Sequence, residues 1–220
     1  MVKLFIWDFH GTLEKGNERA VLAISNEILK QQNYSQRFKQ SDCNRLYGKK
    51  WYEFFEELLP DKPHEEHLRL QAESVTYGLA HPEIIAKYIQ PNDHSHEVLE
   101  AIAVHNDQIL ISNCNSDSLD LFINTIDIQK FFTQGVNAFA ANNHSRKKGS
   151  SKKDILLGFV LKRGYRYRDI ISVGDSPDDV ELAHLLGGTS YLYTHPGTNH
   201  RKGHADHYIT DLREVLQKLH

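Results

Sequence analysis

The sequence predicts an α/β fold: a parallel sheet covered by helices, with an all-helical domain inserted after the first strand. Three observations predict it. Short apolar runs at 2–7, 109–111 and 170–173 each stop at polar residues, reaching Asp8, Ser112 and Gly174-Asp175. After Pro91 helix and strand patterns alternate to the C-terminus, which argues for a parallel sheet buried on both faces. Between 16 and 90 the apolar periodicity is helical almost throughout, so this stretch interrupts the alternation as a helical insertion.

Taken in order, residues 2–7 read as a buried strand. Val21, Ile24 and Ile28 keep a helical stripe, with Asn17 as its N-cap. A second helix is expected over 35–46, ending near Gly48, and further helical segments at 51–59, 64–77 and 83–89, punctuated by Pro60, Pro63, Pro82 and Pro91. Then follow a helix at 94–105, the strand at 109–111, a helix at 117–126, a weak strand at 135–140 and a polar basic loop at 142–153. A helix at 153–163, the strand at 170–173, a helix at 178–186, a strand at 190–193, a short strand near 208–209 and a helix at 211–219 complete the chain. The expected division is 1–15 with 91–220 as one domain and 16–90 as the other.

Composition narrows the function classes. Hydrophobic residues make up 40% of the 220 and charged residues 25%, the balance of a globular chain and not of a disordered one. Lys and Arg number 26 against 29 Asp and Glu, a net charge of −3, which gives no electrostatic case for nucleic acid or an anionic membrane. Cys43 and Cys114 are the only cysteines, too few for a disulfide scaffold and expected as reduced thiols of a cytoplasmic protein. No stretch approaches a membrane span, and the run Leu4-Phe5-Ile6-Trp7 is broken by Asp8, so it does not read as the core of a signal peptide.

The chemistry concentrates at the strand ends. In an open parallel sheet the carboxyl ends of the strands form the ligand crevice. Asp175 is followed at i+4 by Asp179 within Gly174-Asp175-Ser176-Pro177-Asp178-Asp179, a spacing that lets a strand tip and a helix start aim two carboxylates at one point. Hard oxygen ligands of this kind suit Mg²⁺. Lys152 or Lys153, just before a helix, adds a cation. A carboxylate, a hydroxyl, a cation and a metal pocket suit phosphoryl transfer, which rests on positioning and charge neutralisation.

On these residues the chain resembles the haloacid dehalogenase superfamily over essentially its full length. Leu4-Phe5-Ile6-Trp7-Asp8-Phe9-His10-Gly11-Thr12-Leu13 is similar to that family's first motif, hhhhDxDGT; Ile109-Leu110-Ile111-Ser112-Asn113 to its second; Lys152 to its third; and Gly174 to Asp179 to its fourth, GDxxxD. The helical insertion resembles a C1-type cap. The resemblance implies a Rossmann-like core and a Mg²⁺-dependent phosphatase acting on a small phosphate ester or anhydride, with no nucleic-acid or membrane partner. It implies Asp8 as the nucleophile that becomes an aspartyl-phosphate. It implies a metal held by Asp8, the His10 carbonyl, Asp175 and Asp179, with Asp178 a second candidate. Ser112, Asn113 and Lys152 would hold the phosphoryl group, and Thr12 would support the loop. Arg45-Leu46-Tyr47-Gly48-Lys49-Lys50-Trp51 resembles the glycine-containing specificity segment of such caps, which makes Gly48 and Lys49 substrate-binding candidates.

Position 10 departs from the pattern: the family's phosphatases carry Asp there, and this chain carries His10. Imidazole can act as acid and base. With Mg²⁺ and Lys152 as neighbours its pKa is expected to fall, leaving a mainly neutral ring that is a usable base and a poor acid. Phosphonate cleavage, with Lys49 or Lys50 as a Schiff-base amine, and a catalytically weak phosphate-binding protein are the alternative readings. Plainer roles stand beside the chemical ones: a turn residue for Asp8, helix caps for Ser112, Asp175 and Asp179, a helix C-cap for Gly48, and a solvated face for Arg146, Lys147 and Lys148. Cys114 is expected as a small core residue. His64 with His67, and His200, His204 and His207, match no complete zinc motif and are expected as surface histidines.

Overall fold

A computed structural model of the chain describes residues 2–46, 48–132, 138–140, 151–195 and 204–218. In chain order its elements are β1 (Leu4–Trp7), β2 (Glu14–Lys15), α1 (Asn17–Gln31), α2 (Asp42–Leu46), α3 (Trp51–Leu58), α4 (His64–Ala80), α5 (Pro82–Tyr88), β3 (Gln90–Pro91), α6 (Ser95–Ala103), β4 (Asp107–Ser112), α7 (Ser116–Thr125), β5 (Ala138–Ala140), α8 (Lys152–Arg163), β6 (Ile170–Gly174), α9 (Pro177–Leu185), β7 (Thr189–Tyr193) and β8 (His207–Ile209). The chain divides into two compact units, Met1–Lys15 with Pro91–His220, and Gly16–Gln90.

The first unit is built on a sheet of order β5-β4-β1-β6-β7-β8, parallel at every pairing. The fold is α/β, a Rossmann-like core of the class the sequence predicts. All four residues of β1 are buried because the strand is central and both faces are covered. On one face Leu4, Ile6, Ile109, Ile111 and Ile170 pack with Leu156 and Val160 of α8 and Leu182 of α9. Val98, Leu99 and Ile102 of α6 are fully buried, the i, i+1, i+4 stripe of an amphipathic helix. The polar groups that share this interior are satisfied: the Trp7 indole donates to Gln108 Oε1 at 3.0 Å, and Gln108 donates to the Leu99 carbonyl at 2.9 Å.

The second unit consists of α1 to α5 with β3 beginning at its end. Its core joins Val21, Leu22, Ile28 and Leu29 of α1 to Phe54 and Phe55 of α3 and Leu70 of α4. Helix α1 starts one residue earlier than the sequence suggests, with Gly16 and not Asn17 at the N-cap. Gly16 has φ 97°, and a Cβ there would stand 2.1 Å from the Tyr88 carbonyl oxygen, so only glycine fits.

Two further elements differ from expectation. Residues 35–41 are not helical. Asn26 pins the backbone of Phe38 from both sides, accepting from its N–H at 2.8 Å and donating to its carbonyl at 3.0 Å. Arg37 donates to the carbonyls of Tyr34 and Gln36. These side-chain bonds compete with the helical ladder, and only Asp42–Leu46 remains helical. The C-terminal helix is a 3₁₀ helix over Leu212–Lys218.

His67 is also unlike the expected surface histidine. It is buried, with Nε2 2.9 Å from the Leu59 carbonyl. Cys43 and Cys114 are both free. No helix among the described residues is long and apolar enough to cross a membrane. The expected loop residues Arg146, Lys147 and Lys148, the first residues of the expected strand at 135–140, and His200 lie outside the described residues.

Candidate active site

The carboxyl end of the central strand places Asp8. The residue continues the ladder of β1, its N–H donating to the Val173 carbonyl of β6 at 2.9 Å. Its side chain is buried. The chain then turns tightly: the N–H groups of Thr12 and Leu13 donate to the Phe9 carbonyl at 3.2 and 2.9 Å, and Gly11 takes φ 80°. Asn92 closes the loop by donating to the Thr12 carbonyl at 2.7 Å. Thr12 itself is fully buried.

Beside β1, strand β6 ends at Gly174, and Asp175 and the start of α9 follow. Ser176 caps α9, donating from Oγ at 2.6 Å and from its backbone N–H at 3.2 Å to Asp179 Oδ2, with Pro177 in the first helical turn. This capping box turns Asp179 inward. Gly174 leaves the room, since a Cβ there would stand 2.3 Å from the Asp179 side chain. Asp178 is exposed. Carboxylate oxygens of Asp8, Asp175 and Asp179 thereby lie within 4.8 Å of one another.

Helix α8 supplies the cation. Its own capping box joins Ser151 to Asp154 and sets Lys152 at the first helical position. Lys152 is buried, and its Nζ donates to Asp8 Oδ1 at 2.5 Å and Asp179 Oδ1 at 2.8 Å. Lys153 is exposed. Burial disfavours the ammonium, but the charges of Asp179 and Asp8 outweigh it and hold Lys152 protonated. Asp8 is pulled in both directions. Burial raises its pKa, Lys152 lowers it, and the charges of Asp179 and Asp175 raise it again, leaving it at about 7. The cluster therefore carries more negative charge than Lys152 offsets. Three clustered carboxylates with that excess charge fit a hard divalent cation such as Mg²⁺.

Ser112 ends β4 and is buried, with the Cys114 thiol 3.4 Å from its hydroxyl. Asn113 lines, with Lys152 and Asp178, a cleft of about 230 Å³. His10 follows Asp8 in the turn, its ring set edge-on to Phe9 and Phe122. Its Nδ1 donates at 2.9 Å to Oε1 of Glu14, a buried carboxylate that also accepts from the Gly11 N–H at 3.3 Å.

In the metal-free site, Cys114 and Glu14 work against the expectation of a mainly neutral His10. Burial lowers the imidazole's pKa, but hydrogen bonding to Cys114 and to Glu14, with the Glu14 charge, raises it to about 10. The expectation weighed Lys152 and a dication and overlooked Glu14. The signal was an acidic residue four positions beyond His10 in an otherwise apolar turn. Cys114 accordingly contacts the ring and is not simply a core residue.

The remaining site candidates, Gly48 and Lys49, belong to the second unit, between α2 and α3. Gly48 takes φ 80°. Lys49 is ion-paired with Glu57, as is Arg45.

No curated protein sequence matches this one, but many solved structures do. A predicted phosphoglycolate phosphatase from Haemophilus somnus 129PT aligns over 98% of this chain and 97% of its own, with 16% identity and a TM-score of 0.75. A haloacid dehalogenase superfamily hydrolase from Geobacter sulfurreducens PCA aligns over 100% and 97%, at 18% identity and TM-score 0.72. A haloacid dehalogenase family hydrolase from Deinococcus radiodurans R1, solved with bound phosphate and sodium, aligns over 97% and 93%, at 13% identity and TM-score 0.65. At these identities the likeness is one of fold. The sequence itself matches the model of the haloacid dehalogenase-like hydrolases over residues 5–192. On that match the chain belongs to the haloacid dehalogenase-like hydrolase family.

Proposed function

We propose that this hydrolase is a Mg²⁺-dependent phosphatase that cleaves a small phosphorylated metabolite through an aspartyl-phosphate on Asp8. The observation that carries the reading is Asp8 itself, at the tip of the central strand with the Lys152 ammonium 2.5 Å away and Asp175 and Asp179 beside it. Likeness to a predicted phosphoglycolate phosphatase, and to a relative solved with bound phosphate, supports it.

In this reading a carboxylate oxygen of Asp8 attacks phosphorus, and the bond to the leaving oxygen breaks. Lys152 and the Ser112 hydroxyl hold the phosphoryl oxygens, Asn113 stands at the mouth of the cleft, and Thr12 keeps the turn in place. His10, held protonated by Glu14, gives its proton to the leaving oxygen. The now neutral ring takes a proton from the water that attacks the phosphorus of the aspartyl-phosphate, which returns Asp8 and releases phosphate. Asp8, Asp175, Asp179 and the His10 carbonyl would hold Mg²⁺, which supplies positive charge to the phosphoryl oxygens.

Residues 1–15 with 91–220 act here as the catalytic domain and 16–90 as a C1-type cap, with Gly48 and Lys49 as the cap's substrate-binding candidates. A small ester or anhydride is the proposed substrate. The ion pair with Glu57 already engages the Lys49 amine, which does not favour a Schiff base there. Free cysteines suit a cytoplasmic setting.

The test is phosphate release from a panel of metabolite phosphates and p-nitrophenyl phosphate, with Mg²⁺ and with EDTA. Mg²⁺-dependent release that vanishes with EDTA is expected. Absence of release from every compound, with tight phosphate binding retained, would favour a binding protein instead.

A further inference from the structure

The helical unit holds a second group of ligating side chains, on α3 and the first turn of α4. Glu56 lies near the end of α3, His64 is the first residue of α4, and His67 follows one turn later. One ligand atom of each lies within 4.8 Å of the other two. The His64 Nδ1 is 2.7 Å from Glu56 Oε1, and the His67 Nδ1 is 3.9 Å from the same oxygen. The i, i+3 spacing sets both rings on one face of the helix.

His67 is the informative member. Its side chain is 4% exposed, and its Nε2 lies 2.9 Å from the Leu59 carbonyl. A carbonyl only accepts, so Nε2 carries the proton and the Nδ1 of the neutral ring keeps its lone pair. That Nδ1 is buried and has no hydrogen-bond partner among the described residues. What it faces is an acceptor, the Glu56 carboxylate, at a distance too long for a hydrogen bond. A buried Nδ1 and a partly exposed carboxylate turned toward each other are two acceptors that a cation between them would satisfy. Histidines that bind metals typically donate their other N–H to a backbone carbonyl, which fixes the tautomer and aims the ligating nitrogen. His67 has this arrangement.

We propose that Glu56, His64 and His67 form a binding site for a transition-metal dication, Zn²⁺ by preference, that ties the end of α3 to the start of α4. Two imidazole nitrogens and one carboxylate are a donor set suited to Zn²⁺, whereas Mg²⁺ takes oxygen ligands. Metal binding at this site draws on the Nδ1 lone pair of each ring. The proton that His64 shares with Glu56 moves to His64 Nε2 or to solvent. Side-chain exposures of 46% for His64 and 38% for Glu56 give the ion a path from water and room for a water as fourth ligand. The site is separate in residues and in ligand chemistry from the carboxylate cluster around Asp8.

The test uses the full chain with Mg²⁺ in excess, so that the carboxylate cluster is competed, and titrates first Co²⁺ and then Zn²⁺. Wild type is expected to bind one equivalent of Co²⁺ with the visible absorption of a nitrogen-bearing, low-coordinate site, and to release it to Zn²⁺. Losing a direct ligand should cost at least the roughly 10–100-fold in affinity that losing an outer partner costs. His64→Ala and Glu56→Gln are therefore each expected to weaken Zn²⁺ binding tenfold or more. Both positions are partly exposed, so these variants should melt like wild type in EDTA, and Zn²⁺ should raise the Tm of wild type but not of His64→Ala. Zn²⁺ affinity unchanged in both variants, or no Co²⁺ equivalent bound by wild type beside Mg²⁺, would overturn the proposal.

Discussion

His10 Nδ1 donates at 2.9 Å to Oε1 of Glu14, a carboxylate that is 1% exposed. Together with the hydrogen bond to Cys114, this contact raises the pKa of the residue that stands where the resemblance to the family's first motif expects Asp. With its pKa raised from 6.5 to about 10, His10 keeps its proton through neutral pH and loses it only as pH climbs through about 10. Wild type should therefore cleave an alkyl phosphate with a kcat that does not fall between about pH 6 and 8. Glu14→Gln removes the charge that holds the proton, and the acid form should then fade as pH rises past the ordinary histidine range near 6.5. General acid catalysis is worth about 10²–10⁴-fold, so Glu14→Gln should lose up to that much on alkyl esters at pH 8 and far less on p-nitrophenyl phosphate. Equal losses on both esters would mean that Glu14 only supports the turn.

Asp8 carries a prediction about stability. Its folded pKa of about 7 stands above the ordinary aspartate value of 3.8, so between those values the folded protein binds the extra proton. Stability of the metal-free protein should accordingly decrease as pH rises from about 4 to 7. Asp8→Asn should flatten that slope and raise the metal-free Tm at pH 8 by a few degrees, a change that thermal melts in EDTA would read.

Lys152 is the buried counter-charge to Asp8 and Asp179. Removing one partner of a buried pair costs about 3–5 kcal/mol. Lys152→Met should therefore lower the metal-free Tm, and Mg²⁺ should raise the variant's Tm by more than it raises that of wild type, because a dication replaces the missing charge. A smaller Mg²⁺ response in the variant would contradict the placement of the metal among these carboxylates.

Gly174 tests the metal site without touching a ligand. A Cβ there meets the Asp179 side chain at 2.3 Å and must displace it. Gly174→Ala is expected to weaken Mg²⁺ activation by about tenfold or more while leaving the sheet intact, as read by the Mg²⁺ dependence of kcat beside a far-UV spectrum.

Much of this architecture is written in the order of the residues. The apolar run ending at Asp8 and the run ending at Gly174-Asp175 specify central buried strands, because a strand covered on both faces must be continuously apolar. The spacing from Asp175 to Asp179 puts a capping box and a carboxylate on the same helix turn. What the sequence hid were contacts made by side chains that have no periodic signature. Asn26 bonding the Phe38 backbone stops a helix that propensity alone allows. Glu14 reads as one more charged loop residue until the turn at Gly11 brings it to His10. His67 sits among polar neighbours in the sequence, Glu65, Glu66 and Arg69, and its burial follows only from the packing of α4 against α3.

The most direct test of the account is to look for the phosphoryl group on Asp8. Acid-quenched protein, trapped during turnover of p-nitrophenyl phosphate with Mg²⁺, should carry one phosphoryl group on the peptide containing Asp8, and Asp8→Asn should carry none and should not turn over. Steady hydrolysis with no phosphorylated peptide at the quench, together with Asp8→Asn activity within about tenfold of wild type, would contradict it.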